Sequence, residues 1–262
     1  MARFPDGHPR HEKGGVNLRI TSRCYAVTGL AFALPWAVNA GFVVGAGTTL
    51  VIDTGPNTLA AQTIHGYAVA AGAGNRLIAV NTEPHFDHLG GNGFFRERGI
   101  DIYGHCRIHR TAAELAATIA ECNQSIPDRR RRERNEAAVL FQKTTAANPN
   151  RPVPEETVLE LGGLTARLLF TPGHTPANLA VYIPEEGVLY AGDAVVSGLS
   201  PNLECGSAAD WRRWKQSLAR IAALQPEWIV PGHGPVISRQ EREPALDRIA
   251  AALDEALAER ET

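Results

Sequence analysis

Five short apolar runs in this chain each end in a turn that carries a histidine or a carboxylate, and that pattern constrains the fold more than any other feature. Thr49–Ile52 runs into Asp53-Thr-Gly55, and Arg76–Val80 into Asn81-Thr-Glu83-Pro-His85. Leu164–Phe170 runs into Thr171-Pro-Gly-His174, Val188–Tyr190 into Ala191-Gly-Asp193, and Trp228–Val230 into Pro231-Gly-His233-Gly234. Runs of this length, bounded by Gly and Pro, read as buried strands. Functional side chains stationed in turns at strand ends are held by a rigid scaffold. Such a chain must bring several strand ends to one place.

The densest of these turns is Glu83-x-His85-x-Asp87-His88, followed by Leu89-Gly90-Gly91. Period-two spacing continued beyond a strand puts Glu83, His85 and Asp87 on a common side, with His88 pointing elsewhere. One loop can then feed two neighbouring metals. Imidazole nitrogen and carboxylate oxygen form a donor set for zinc, and also for iron or manganese.

The ordered set resembles the metallo-β-lactamase superfamily. That family carries an Asp after an early strand, then H-x-H-x-D-H, a G-H-T turn, a G-D turn and a late G-H. All occur in order over residues 51–234, with Glu83 in place of the first His. Asn39-Ala-Gly41-Phe-Val-Val44 is similar to the family's early strand. The resemblance implies a four-layer αββα sandwich, in one domain over residues 1–262, with two divalent metal ions at a sheet edge. Zinc is the first expectation, with iron or manganese as alternatives. By position, Glu83, His85 and His174 hold metal one; Asp87, His88 and His233 hold metal two; Asp193 bridges them. Asp53 stands behind the ligands and orients one of them.

The rest of the chain fits an α/β enzyme. Helices are expected near Leu59–Ala71, Gly90–Arg98, Asp210–Leu224 and Pro244–Glu259, between strands that include Ile100–Tyr103, Thr157–Leu161 and Leu179–Ile183. Residues 111–150 read as a helical insert that caps the pocket. Within it, Arg129–Arg132 is balanced by Asp128, Glu133 and Glu136 and reads as a solvated face. Formal net charge is −2, which favours neither nucleic acid nor an anionic membrane. Cys24 to Ile52 lacks any charged residue, yet Pro35, Asn39, Gly41, Gly45 and Gly47 break it into short pieces, so strands are expected there and no membrane span. Met1–Arg19 is polar, without the apolar segment of a secretory signal. Cys24, Cys106, Cys122 and Cys205 are scattered, with no C-x-x-C pair, which points to a reducing cytoplasm. Cys205 reads as an inert loop thiol, and His105 and His109 as residues outside the site.

The functional expectation is hydrolysis of an ester-like bond (thioester, lactone, ester or amide) in a small molecule. A hydroxide bridging the metals attacks the carbonyl, and Asp87 guides the proton. With two divalent cations, Asp87, Asp193 and hydroxide leave a net +1; a ligating Glu83 makes the centre neutral and favours harder metals. The bridging Asp193 resembles the glyoxalase II branch rather than the antibiotic-degrading β-lactamases. The alternatives are an iron-dependent sulfur dioxygenase-like oxidoreductase, or a β-lactamase. The family's flavin-linked reductases carry a flavodoxin-like domain that these residues do not include. A homodimer is compatible with the sequence.

Overall fold

The computed structural model describes residues 16–30, 37–125, 143–204 and 206–261. Arg129–Arg132, Cys205 and the chain before residue 16 lie outside them. In chain order the elements are β1 (Val16–Arg19), β2 (Cys24–Leu30), β3 (Val38–Val44), β4 (Thr48–Ile52), α1 (Thr58–Ala71) and β5 (Arg76–Asn81). There follow α2 (Phe86–Leu89), α3 (Asn92–Arg96), β6 (Asp101–His105), α4 (Ala112–Ser125), β7 (Arg151–Val153), β8 (Thr157–Glu160) and β9 (Thr165–Phe170). The last third holds β10 (Leu179–Ile183), β11 (Val188–Val196), α5 (Ala208–Leu224), β12 (Trp228–His233), β13 (Ile237–Ser238) and α6 (Arg239–Glu261).

The strands form two half-sheets joined by one bridge. The path runs β7-β6-β5-β4-β3-β12-β11-β10-β9-β8, and the β3–β12 link is the single pair Val38↔His233. So narrow a link lets the halves fold face to face. Alternation along the strands then sorts side chains into three apolar layers. Leu50, Ile52, Ile78 and Val80 of one half meet Leu168, Val181, Val188 and Tyr190 of the other. The intervening Val51 and Ala79 face outward onto Ile64 and Ala68 of α1 and Phe94 and Phe95 of α3. Leu189 and Ala191 face outward onto Trp211, Trp214 and Leu218 of α5 and Leu246, Ile249 and Leu253 of α6. Both faces of each central strand are thus covered, which is why the sequence reads there as continuous apolar runs. Each buried Leu or Ile contributes roughly 1.5–3 kcal/mol. The architecture is the αββα sandwich that the motif order implies.

Three local expectations change. Strand β5 ends at Asn81, and residues 86–89 form a one-turn helix capped by His85, so strand alternation does not extend through Asp87. That turn brings His88, fully buried, alongside Asp87 and His233. Strand β11 continues past Tyr190 to Val196 through a register irregularity at Gly192, so a bulge within the strand sets Asp193, not a strand end. Helix α6 starts at Arg239, five residues before Pro244. Glu241 explains the early start: its carboxylate accepts from the Ser238 backbone N–H at 3.1 Å and from the Ser238 hydroxyl at 2.6 Å, tying down the first turn.

Helix α4 lies beside the motif turn. Leu115, with Ile119 and Cys122 against it, packs on Phe86, Leu89 and Ala177. The described part of the 111–150 insert therefore flanks both the Glu83–His88 turn and the His174 turn.

Candidate metal centre

Asp53 follows β4 with φ 58°, a left-handed conformation that Asp tolerates better than most residues. The turn points its carboxylate back beneath the motif. Oδ1 accepts from the Thr82 backbone N–H at 2.7 Å, and Oδ2 from the Thr82 hydroxyl at 2.7 Å. Oδ2 also lies 2.9 Å from His88 Nδ1. An ionised carboxylate can only accept, so Nδ1 carries the proton and the Nε2 lone pair points into the cluster.

The same device recurs twice with backbone carbonyls. His174 Nδ1 lies 3.3 Å from the Asn202 carbonyl oxygen, and His233 Nδ1 lies 3.1 Å from that of Ala37. Carbonyl oxygen also only accepts, so both rings present Nε2 as a donor atom. His85 is the exception and turns Nδ1 inward, 3.1 Å from His174 Nε2.

The inward atoms converge as two groups. Glu83, His85, His174 and Asp193 form one; Asp87, His88 and His233 form the other. Glu83 Oε2 lies 2.8 Å from His85 Nδ1 and 3.5 Å from His174 Nε2. His233 Nε2 lies 3.3 Å from Asp87 Oδ2 and 3.4 Å from Asp193 Oδ2. Asp193 also reaches His174 Nε2 at 3.5 Å and, through Oδ1, His88 Nε2 at 3.3 Å, so it stands between the groups. Gly232 makes room for it: a Cβ there would lie 1.8 Å from Asp193 Oδ1.

Apart from the His85–His174 contact, several of these atoms approach one another without a hydrogen bond. Both Glu83 oxygens, His88 Nε2 and Asp193 Oδ1 are buried and lack a hydrogen-bond partner. Leaving such groups unsatisfied costs about 1–3 kcal/mol each, more when charged. A cation at the focus of their lone pairs removes that cost, so the residues fit divalent metal. The electrostatics agree. Burial works against charge on His85, but the Glu83 carboxylate beside it outweighs that and raises the pKa to about 9. Burial likewise opposes charge on His233, and Asp193 and Asp87 raise it to about 10. His88 is raised well above the ordinary range against its own desolvation, chiefly by Glu83 and Asp53. Burial favours the neutral form of Asp193, yet His88 and His233 hold it well below the usual carboxylate range. The centre of the cluster favours positive charge.

Residues 33–233 match the metallo-beta-lactamase superfamily. This chain belongs to that superfamily. The match takes in every residue of both groups and Asp53. Among curated relatives, the chain is 27% identical over 219 residues to the acyl-coenzyme A thioesterase MBLAC2 of Gallus gallus, covering 74% of this chain and 72% of the relative. It is 29% identical over 119 residues to the hydroxyacylglutathione hydrolase of Erythrobacter litoralis, covering 43% and 45%. Other relatives are matched over as little as 24% of their length. A solved metallo-beta-lactamase from Pontibacter korlensis superposes with a TM-score of 0.66 at 21% identity, over 92% of this chain and 99% of that one. The Gallus gallus and Erythrobacter litoralis relatives both carry the names of hydrolytic enzymes.

For this member of the metallo-beta-lactamase superfamily, the structure brings together all eight residues singled out from the sequence. His105 stays outside the groups and packs on Phe170, ring centroids 4.4 Å apart. Sequence reasoning missed the polar frame beneath the motif. Asn81 Nδ2 and the Thr54 backbone N–H both donate to the His88 carbonyl, at 3.2 and 2.9 Å. Asn92 is hydrogen-bonded to both Thr54 and Asn81. The available signal was Asn81 itself, a polar residue closing the apolar run Leu77–Val80. Among the described residues, no helix is long and apolar enough to cross a membrane.

Proposed function

We propose that this protein is a dinuclear metallohydrolase acting on a small thioester, with other ester-like bonds (lactone, ester, amide) as weaker substrates. One observation carries the reading: two adjacent sets of converging donor atoms, with both Glu83 oxygens, His88 Nε2 and Asp193 Oδ1 buried and without a hydrogen-bond partner, and with Asp193 between the sets. Thioester is the first choice because two relatives are named for hydrolysing acyl groups carried on coenzyme A or glutathione.

Glu83, His85 and His174 would hold one ion and Asp87, His88 and His233 the other, with Asp193 shared. Bound there, two divalent ions, zinc in the first instance, supply Lewis acidity toward a carbonyl and lower the pKa of water to near neutrality. The chain's own residues do the positioning. Asp53 and the Asn202 and Ala37 carbonyls keep protons on the outer ring nitrogens. Asp87 has the most exposed carboxylate of the three, with 28% of its side chain accessible, so it is placed to pass a proton between the site and solvent. Helix α4 packs Leu115, with Ile119 against it, onto Phe86 and Leu89 beside the site.

The test is metal analysis of protein purified without added metal, followed by assay against acyl-CoA and acylglutathione thioesters, lactones and a chromogenic β-lactam. Two metals per chain with preference for a thioester is expected. A single iron with oxygen consumption on a thiol substrate would overturn the hydrolase reading in favour of a dioxygenase. Efficient turnover of the lactam alone would overturn the thioester.

A further inference from the structure

We infer that Glu83 is a second bridging carboxylate, with one oxygen on each metal position. The inference deepens the dinuclear reading above and rests on it. The family's motif order assigns this residue to one metal only; the geometry assigns it to both.

Donor atoms that share an ion at about 2.0–2.2 Å stand roughly 3–3.5 Å from one another. Glu83 Oε2 meets that spacing with the first group, at 2.8 Å from His85 Nδ1 and 3.5 Å from His174 Nε2. Glu83 Oε1 meets it with the second group, at 3.1 Å from His88 Nε2. His88 belongs with Asp87 and His233, not with His85 and His174. One carboxylate therefore turns a different oxygen to each group. Asp193 also reaches both groups, from another strand, with Oδ2 toward His174 and His233 and Oδ1 toward His88.

The competing account makes Glu83 an ordinary ion-pair partner of protonated His85 and His88. Such pairs align N–H with oxygen. Here neither Glu83 oxygen has a hydrogen-bond partner, although the residue is wholly buried. His88 has its Nδ1 proton committed to Asp53 at 2.9 Å, so Nε2 is the atom it can offer to a metal. Nε2 stands 3.1 Å from Glu83 Oε1 without a hydrogen bond, a spacing that fits one cation shared by the two atoms. His cannot replace Glu in this role, because an imidazole turned inward offers one nitrogen to one ion. The substitution at the motif's first position therefore changes the connectivity of the centre as well as its charge. Three carboxylates and four imidazoles around two ions form an oxygen-rich set that suits manganese or iron better than an all-histidine set does.

The experiment uses the full chain, stripped of metal with a chelator and titrated with Mn(II). Electron paramagnetic resonance follows both free and bound ion. Wild type is expected to take two Mn(II) per chain and to give a spin-coupled pair spectrum. Glu83→Gln removes the charge and is expected to weaken both binding steps, each by roughly tenfold or more. Glu83→Asp keeps the charge on a stem one methylene shorter. It is expected to recover one step and not the other, with weakened coupling. Circular dichroism of the stripped variants checks the fold, and the Asp variant serves if the Gln variant does not fold. A wild-type protein that binds two ions, with Glu83→Gln weakening one step and leaving the other and the coupling unchanged, overturns the bridge and leaves the hydrolase reading intact. Fewer than two ions on the wild type overturns both.

Discussion

Replacing Asp53 by Asn exchanges one carboxylate oxygen for an amide NH2 and separates the fold from the metal centre. Asp53 Oδ1 can keep its bond from the Thr82 N–H as an amide oxygen. The new NH2 then faces the Thr82 hydroxyl and His88 Nδ1, which lie 2.7 and 2.9 Å from Oδ2. The hydroxyl can turn and accept. His88 Nδ1 must become an acceptor, so its proton moves to Nε2, where Glu83 at 3.1 Å and Asp193 at 3.3 Å can receive it. The metal-free protein therefore loses only the difference between charged and neutral hydrogen bonds, about 1 kcal/mol. Metal binding loses much more, because a proton now occupies the donor lone pair of a ligand. Roughly 10–100-fold in affinity is expected, or about 1.4–2.7 kcal/mol. Urea unfolding of stripped protein reads the first quantity, and titration against a competing chelator reads the second. An Asp53→Asn protein that unfolds far more easily but binds both ions with wild-type affinity would refute the tautomer argument and make Asp53 a purely structural residue.

Gly232→Ala should push a methyl into Asp193, since the new Cβ would lie 1.8 Å from Oδ1; metal content should fall at both positions while the fold loses about 1–3 kcal/mol, and a fully loaded variant would show Asp193 to be misplaced. Trp214, fully buried with Nε1 donating to the Ala194 carbonyl at 2.8 Å and its ring edge-on to His174, should cost about 3–5 kcal/mol on truncation to Ala in urea unfolding, and a loss under about 1 kcal/mol would contradict the packing. The stripped protein should be most stable from mildly acidic to neutral pH. His85 and His233 have folded pKa values raised to about 9 and about 10, so their contribution is complete below the unfolded value near 6.5 and is lost as pH rises through 9 to 10. Asp87 and Asp193 are lowered, so theirs is lost on acidification below the ordinary carboxylate range. Metal-loaded protein should lack the alkaline decline because a ligated imidazole has already given up its second proton, and identical melting profiles of the two forms from pH 6 to 10 would count against these assignments.

The residue types and their order were legible from the chain alone. Asp53, Glu83, His85, Asp87, His88, His174, Asp193 and His233 each sit where a short apolar run meets a turn, and ligand chemistry depends on side-chain identity, which a sequence states directly. The layers were legible for a related reason: runs such as Leu50–Ile52 and Val188–Ala191 are apolar at every position, and only strands covered on both faces need that.

What the tertiary structure decided was direction. The one-turn helix inside the motif, which swings His88 into the centre, is held by Thr54, Asn81 and Asn92 from three separate segments. Backbone carbonyls of Asn202 and Ala37 set which nitrogen His174 and His233 present, and a carbonyl has no signature in sequence because every residue carries one. The two-sided reach of Glu83 follows from its place between His174, brought from the other half-sheet, and His88, turned inward by the one-turn helix. Local spacing names the donors of a metal site. Strand pairing and the folding of one half-sheet onto the other, acting over separations of a hundred residues or more, determine which atom of each donor meets the metal.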